Sequence, residues 1–375
     1  MDFGKLKELK DELIKLKKEK LPWKGLKKAQ PMVLGIDIGT LAIKLVELSS
    51  KDGMLTLETY AIETLPPDVV VEKEIKDVEQ VGQAIARAYE KSRASIKTVA
   101  VALPSVSSIT KLIEISKHLN EADIFQQVSL DADRYIPYPR EEVSLDFEVI
   151  GPSQKNTEML DVLLVATRSE HVDIRVDAVA VAGLQTRVVD LESYALERGF
   201  NFEKKPSTSE GITEALIDLG ATNLSLVVLH SGKMIYTREQ AFGGKKLIEE
   251  IQFRYGFSYD EAVRWYKFEH LPEDIEAEIL SPFREAVVQQ IQRALQLFYS
   301  STEFRSVDHL YLAGGLSMVS LIVEDLQKDL GIKVSRANPF AGIQVSSKIN
   351  QQALATDASS LLVAFGLALR SFTHA

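Results

Sequence analysis

The chain has 375 residues, 45% of them hydrophobic, which is enough for two or three domains with sizeable cores, and no run of 18 uninterrupted apolar residues marks a bilayer span. It contains no cysteine, which excludes disulfides and thiolate metal sites, and its six scattered histidines show no metal-ligand spacing. The formal charge is −10 overall, but residues 1–30 carry ten lysines against five acidic residues, so the body is strongly acidic and lacks the clustered positive charge that nucleic acid requires.

The first 30 residues form a segment of their own. Leu6, Leu9, Leu13 and Leu16 recur at steps of three and four, with Lys5, Lys7, Lys10, Lys15, Lys17, Lys18 and Lys20 on the other faces of the helix that spacing predicts; Pro22 ends it. Such a helix suits an anionic membrane surface, a partner protein or plain solvation, and the pattern alone leaves all three open.

Beyond Pro31 strands and helices alternate, the pattern of an α/β fold. Residues 33–48 and 54–63 read as strands, 77–93 as a helix and 98–103 as a further strand closed by Pro104. Residues 109–183 interrupt this domain with a strand, a helix and paired strands, and 193–198 read as a helix after the chain re-enters it. The motif Leu34-Gly35-Ile36-Asp37-Ile38-Gly39-Thr40 returns as Leu216-Ile217-Asp218-Leu219-Gly220-Ala221-Thr222, each copy a buried strand, an Asp and a glycine bend before a second strand. Glycine lets backbone N–H groups approach phosphate oxygens closely, and Thr40 and Thr222 add hydroxyl donors. Asp37 and Asp218 would repel phosphate, so their place beside it makes sense through Mg²⁺ and its waters. Phe242-Gly243-Gly244-Lys245 opens a helix, residues 258–268 and 274–299 read as a helical insertion, and Leu310 to Ala313 is a buried strand running into the pair Gly314-Gly315 ahead of a helical pattern, 318–330. A glycine pair at a strand-to-helix switch lets a flat ligand lie against the backbone. A last helix covers 361–372, with Gly366 placed for close packing.

Two phosphate hairpins followed by a glycine-pair loop resemble the superfamily of actin, heat-shock ATPases and sugar kinases, and within it the bacterial FtsA and PilM families. The segment Asp133-Arg134-Tyr135-Ile136-Pro137-Tyr138-Pro139, followed by Val143 to Val149 and Asp161 to Thr167, is similar to the PilM family of type IV pilus assembly proteins, over residues 31–375. That resemblance implies an actin-like, ribonuclease H-like two-lobed fold with a split nucleotide site. Subdomain 1A would comprise 31–108, 184–210 and 355–375, subdomain 1C 109–183, subdomain 2A 211–245 and 300–354, and subdomain 2B 246–299, with 1–30 as a basic extension.

The same resemblance implies site residues for ATP and Mg²⁺. Gly35, Asp37, Gly39 and Thr40 would form the first phosphate hairpin, with Lys44 as a counter-charge, and Asp218, Gly220, Ala221 and Thr222 the second. Asp37 and Asp218 would hold the metal through water. Gly243, Gly244, Lys245, Lys246 and Glu249 would border the ribose, Gly314, Gly315 and Ser317 the adenosine, and Asn338 with Pro339 the adenine edge. Asp190, then Glu192, would orient water for hydrolysis, although an acidic residue there also suits a helix start. Turnover is expected to be slow or absent. The expected partner is the cytoplasmic amino-terminal tail of PilN, gripped between 1A and 1C near Tyr135, Ile136, Pro137 and Tyr138, which places the protein in the cytoplasm at the inner membrane. Other readings of the two-hairpin site are an FtsA-like division protein and a small-molecule kinase, but no acidic motif between the hairpins offers the kinase's base.

Overall fold

The computed structural model describes residues 32–131, 134–153, 155–202, 210–259, 261–262 and 273–372; the basic amphipathic segment 1–30 and part of the expected insertion helix 258–268 lie outside the described residues. The first half opens with β1 (Leu34–Ile38), β2 (Ala42–Lys51) and β3 (Met54–Thr64), a meander in which Gly35 faces Val46 and Lys44 faces Ile62. Every residue of β1 is buried, as expected of a central strand covered on both faces. A short hairpin, β4 (Val70–Val71) and β5 (Glu74–Ile75), leads into α1 (Val78–Ser92) and β6 (Thr98–Leu103). Asp77 caps α1 by accepting from the Gln80 N–H at 2.9 Å.

An insertion follows: β7 (Ser108–Ser116), α2 (Glu121–Asp131), β8 (Val143–Pro152) and β9 (Met159–Arg168). Its three strands pair in the order β7-β9-β8, and Ile113, Ile115, Ile124, Val128, Val162 and Leu164 form its own core. The chain returns through α3 (Ser169–Val181), β10 (Gln185–Leu191) and α4 (Glu192–Asn201). The second half consists of β11 (Thr213–Leu219), β12 (Leu224–His230), β13 (Lys233–Gln240), α5 (Lys245–Tyr255), α6 (Ser281–Ser301), β14 (His309–Ala313), α7 (Ile322–Leu330) and β15 (Lys333–Arg336). Finally β16 (Gln344–Val345), α8 (Gln351–Asp357) and α9 (Leu362–Ala368) cross back.

The two large sheets have one plan. Their orders are β10-β6-β1-β2-β3-β16 and β13-β12-β11-β14-β15, so each has an antiparallel meander of three strands extended beyond its first strand by two parallel ones. The internal repeat seen around Asp37 and Asp218 is therefore a repeat of architecture. A single core cluster spans both sheets: Ala100 and Ala195 from the first half, Leu216 and Val227 from the second, and Leu362, Val363 and Leu367 of α9 between them.

Three expectations are corrected by packing. The helix α3, assigned to the inserted domain, buries Ala178 and Val179 against Val81, Ile85 and Ala88 of α1, so the insertion ends near Arg168 rather than at 183. Residues 344–345 pair with β3, and Leu354 packs with Leu48 and Leu57, so the first half regains the chain before 354. The helix read from Met318 begins at Ile322, because Leu321 adopts a left-handed φ of 60° after a short 3-10 turn. Within Gln351–Ser371 an 18-residue window has a mean hydropathy of 1.4, apolar enough for a membrane span by composition, yet 72% of that window is buried within the fold, and Leu362, Val363 and Leu367 belong to the core shared by the two sheets.

Candidate functional site

The two glycine bends face each other across a cleft of about 360 Å³, a volume in the range of small-ligand sites. They are built alike. The Gly39 N–H donates to the Ala42 carbonyl at 3.1 Å and the Gly220 N–H to the Asn223 carbonyl at 2.9 Å, each closing the bend between its pair of strands. At their tips the hydroxyls of Thr40 and Thr222 meet at 3.1 Å. The second bend is fixed from behind by α5, whose opening N–H groups are spent on it: Gly244 donates to the Gly220 carbonyl at 3.2 Å and Lys245 to the Ala221 carbonyl at 2.7 Å. Gly314, at φ 85°, is required here, since a Cβ would come within 2.3 Å of the Leu219 carbonyl and 2.7 Å of Asp218 Oδ1.

The cleft floor concentrates charge. Lys44 Nζ donates to Asp37 Oδ2 at 2.9 Å; burial draws its pKa down, but Asp37 and Asp218 outweigh burial and hold the ammonium above its ordinary value. Burial raises the carboxyl of Asp218, with Lys44 and Lys73 opposing and Asp37 and Glu239 reinforcing the rise. Burial likewise raises Glu192, against the pull of Lys73. Lys73 Nζ contacts Glu192 at 2.5 Å and Glu239 at 3.3 Å, and despite burial these partners push its pKa up. Four carboxylates thus share two ammoniums, a deficit of positive charge that suits a divalent cation. Among the described residues no group of three or more His, Asp or Glu could hold a metal directly, so Asp37 and Asp218 fit a cation reached through water better than a direct protein cage.

Of the residues singled out in the sequence, Asp37, Gly39, Thr40, Lys44, Asp218, Gly220, Ala221, Thr222, Gly244, Gly314, Gly315 and Glu192 line this cleft. Others do not, for clear physical reasons. Gly35 lies under α9, where a Cβ would stand 1.9 Å from the Ala364 carbonyl, so it permits helix packing rather than phosphate contact. Gly243 backs the second bend, its Cβ position 2.4 Å from the Ala221 carbonyl. Lys245 reaches out to Asp68 at 3.3 Å and lies 3.9 Å from Glu249, while Lys246 and Glu249 are exposed. Ser317 is fully buried and bonds Ser359 Oγ and the Gly314 carbonyl, bracing the loop from within. Asn338 turns its side chain onto the Phe340 N–H, and Pro339 is buried. Asp190 is paired with Arg198 at 2.9 Å, lies 3.7 Å from Arg370 and is outside the cleft lining, which includes Glu192.

Sequence reasoning missed Lys73, Ile248 and Tyr259 in the cleft walls, and Glu239, which pairs with Lys73. Lys73 sits in the charged turn Glu72-Lys73-Glu74, which carries no motif; Glu239 is placed by strand register opposite Ser225.

A second groove, about 260 Å³, lies where the insertion meets the first sheet, lined by Glu72, Glu74, Val106, Ile109, Tyr138, Arg168, His171 and Arg175 among others. Arg168 stacks over the Tyr138 ring at 5.9 Å. Of the aromatic segment expected there, Tyr138 faces this groove and Pro137 is exposed, whereas Ile136 is buried with Val143 and Ala166 and Tyr135 packs against that same core.

A family model for type IV pilus assembly protein PilM matches residues 35–372. The chain is 23% identical over 347 residues to the cell division protein FtsA of Enterococcus faecalis, covering 79% of this chain and 76% of that protein. Among solved structures it is similar to a PilM-PilN type IV pilus biogenesis complex, with a TM-score of 0.76 and 26% identity over 92% of this chain and 100% of that one. It also shares its fold with the ethanolamine utilization protein EutJ of Carboxydothermus hydrogenoformans, at a TM-score of 0.55 and 16% identity over 90% and 89% of the two chains.

Proposed function

Because the chain belongs to the PilM family of type IV pilus assembly proteins, we propose that it is an actin-like scaffold that holds Mg²⁺-ATP between its two hairpins and the amino-terminal tail of PilN in its second groove. The observation that carries the nucleotide half is the meeting of Thr40 and Thr222 above a floor of Asp37, Lys44 and Asp218. Hydroxyls and glycine bends from both halves converge there on one polyphosphate-sized space. Asp37 and Asp218 would hold a hydrated cation, which would neutralise the carboxylate excess and the phosphate charge. Lys44, kept charged by its acidic neighbours, faces the phosphates. Gly244 and Gly314-Gly315 give the base and sugar a flat approach.

Glu192 would orient the water for hydrolysis; in support, it lines the cleft, whereas Asp190 does not. Its pairing with Lys73 restrains that role, in keeping with slow or absent turnover and a nucleotide that sets the angle between the halves.

For the partner half, the PilM-PilN complex is the support. An extended tail would lie along Tyr138 and Arg168, with its apolar side chains against Val106 and Ile109. Attachment to PilN places the protein at the cytoplasmic face of the inner membrane, with residues 1–30 as a further basic contact.

Equilibrium binding of Mg²⁺-ATP to the wild type, Asp37→Ala and Asp218→Ala tests the nucleotide half. A loss of affinity in both variants is expected. Unchanged affinity in both would remove the split site.

A further inference from the structure

The turn that joins β4 to β5 belongs to both cavities. Glu72 and Lys73 occupy it with φ of 51° and 65°, the left-handed region where glycine or asparagine is usual in a two-residue hairpin. Local preference therefore does not explain a lysine there. Its side chain does: Nζ passes into the cleft and pairs with Glu192 from the first half and Glu239 from the second. The same residue is held at its other end by Arg175, whose guanidinium donates to the Lys73 carbonyl at 3.1 Å and to the Ala102 carbonyl at 2.9 Å. Arg175 lines the second groove, and so do Glu72 and Glu74 on either side of Lys73.

We propose that Lys73 is a positioning residue that couples the two cavities: polyphosphate in the cleft competes with Glu192 and Glu239 for its ammonium, and the turn transmits that exchange to the groove through Arg175, Glu72 and Glu74. This rests on the reading that the cleft takes nucleotide and the groove takes the PilN tail. The competition follows from charge. Cation-bound phosphate brings fresh negative oxygens to a lysine now neutralised by two carboxylates, one from each half of the chain. A lysine drawn from Glu239 releases a link between the halves, and because the turn is two residues long and anchored by Arg175, its displacement is felt in the groove wall. Coupling of this kind is reciprocal, so peptide in the groove must alter nucleotide affinity by the same factor.

The test uses the full chain, Mg²⁺-ATP and a synthetic PilN-tail peptide, with each dissociation constant measured in the absence and at saturation of the other ligand. The wild type is expected to show a change of about fivefold or more, equal in both directions of the cycle. Lys73→Met, whatever its own affinity for each ligand, should show the factor reduced to about one, and Lys73→Arg should restore it, a rescue that a merely structural role would not give. A Lys73→Met protein that keeps the wild-type factor, or a wild type that binds both ligands independently, overturns the proposal while leaving the two-site reading standing. A wild type that fails to bind nucleotide or peptide at all removes that reading, and the coupling with it.

Discussion

Thr40 and Thr222 are separated by 182 residues in sequence, and their hydroxyls stand 3.1 Å apart where the two repeats of the fold meet. Each sits at the tip of a bend whose glycine N–H is already bonded across its own hairpin, and the two threonine hydroxyls are where the bends meet. Replacing Thr40 by valine keeps the shape and removes the hydroxyl. A charged phosphate loses a donor, and the affinity for Mg²⁺-ATP is expected to fall by about tenfold, or about 1.4 kcal/mol. Titration with a fluorescent ATP analogue measures it.

Asp218 has a cost when the cleft holds no cation. Its folded pKa is raised, chiefly by burial, so between the ordinary value of 3.8 and that higher value the folded chain binds more protons than the unfolded one. Stability from this group therefore falls as pH rises through that window, and the penalty is fully present above it. Asp218→Asn is expected to raise the thermal midpoint of the ligand-free protein at neutral pH and to flatten its pH profile in that window. The same substitution should weaken Mg²⁺-ATP binding. Calorimetric scans from pH 4 to 8, paired with nucleotide titrations, would show the opposite signs.

Asp190 and Glu192 are separated by the roles their surroundings allow. Asp190→Asn leaves Arg198 without its close ionic partner, a loss on the order of 1–3 kcal/mol in urea unfolding, with nucleotide affinity unchanged. Glu192→Gln should alter phosphate release, if any is measured, or nucleotide affinity, and change unfolding less.

Gly35→Ala is expected to destabilise the fold by about 1–3 kcal/mol or more, because its methyl would run into the Ala364 carbonyl of a helix held on all sides. Gly366→Ala meets the Ala195 carbonyl in the same way. The urea midpoint should drop in both, while the protein that remains folded binds nucleotide with wild-type affinity.

Much of this was legible in the chain. The repeated Asp-Gly bends announced the paired hairpins because glycine bends between apolar strands are local signals, and Asp37, Gly39, Thr40, Asp218, Gly220 and Thr222 do share one cleft. Gly35 was misread for the same reason: a glycine in the motif looks alike in sequence whether it admits phosphate or a helix, and only the crossing of α9 decides. Lys73 and Glu239 were invisible, since one sits in a motif-free turn and the other meets Lys73 from a strand position set by register. The helix 169–181 fell to the wrong domain because its partner α1 lies far back in the chain, and no local pattern records a long-range contact.

The central claim is tested most directly by titration calorimetry of the full chain with a peptide copying the PilN amino-terminal tail, with and without Mg²⁺-ATP. Saturable one-to-one binding, weakened by Tyr138→Ala, is the expected result. A flat titration in both conditions would contradict the scaffold reading and leave the cleft without a partner to report to.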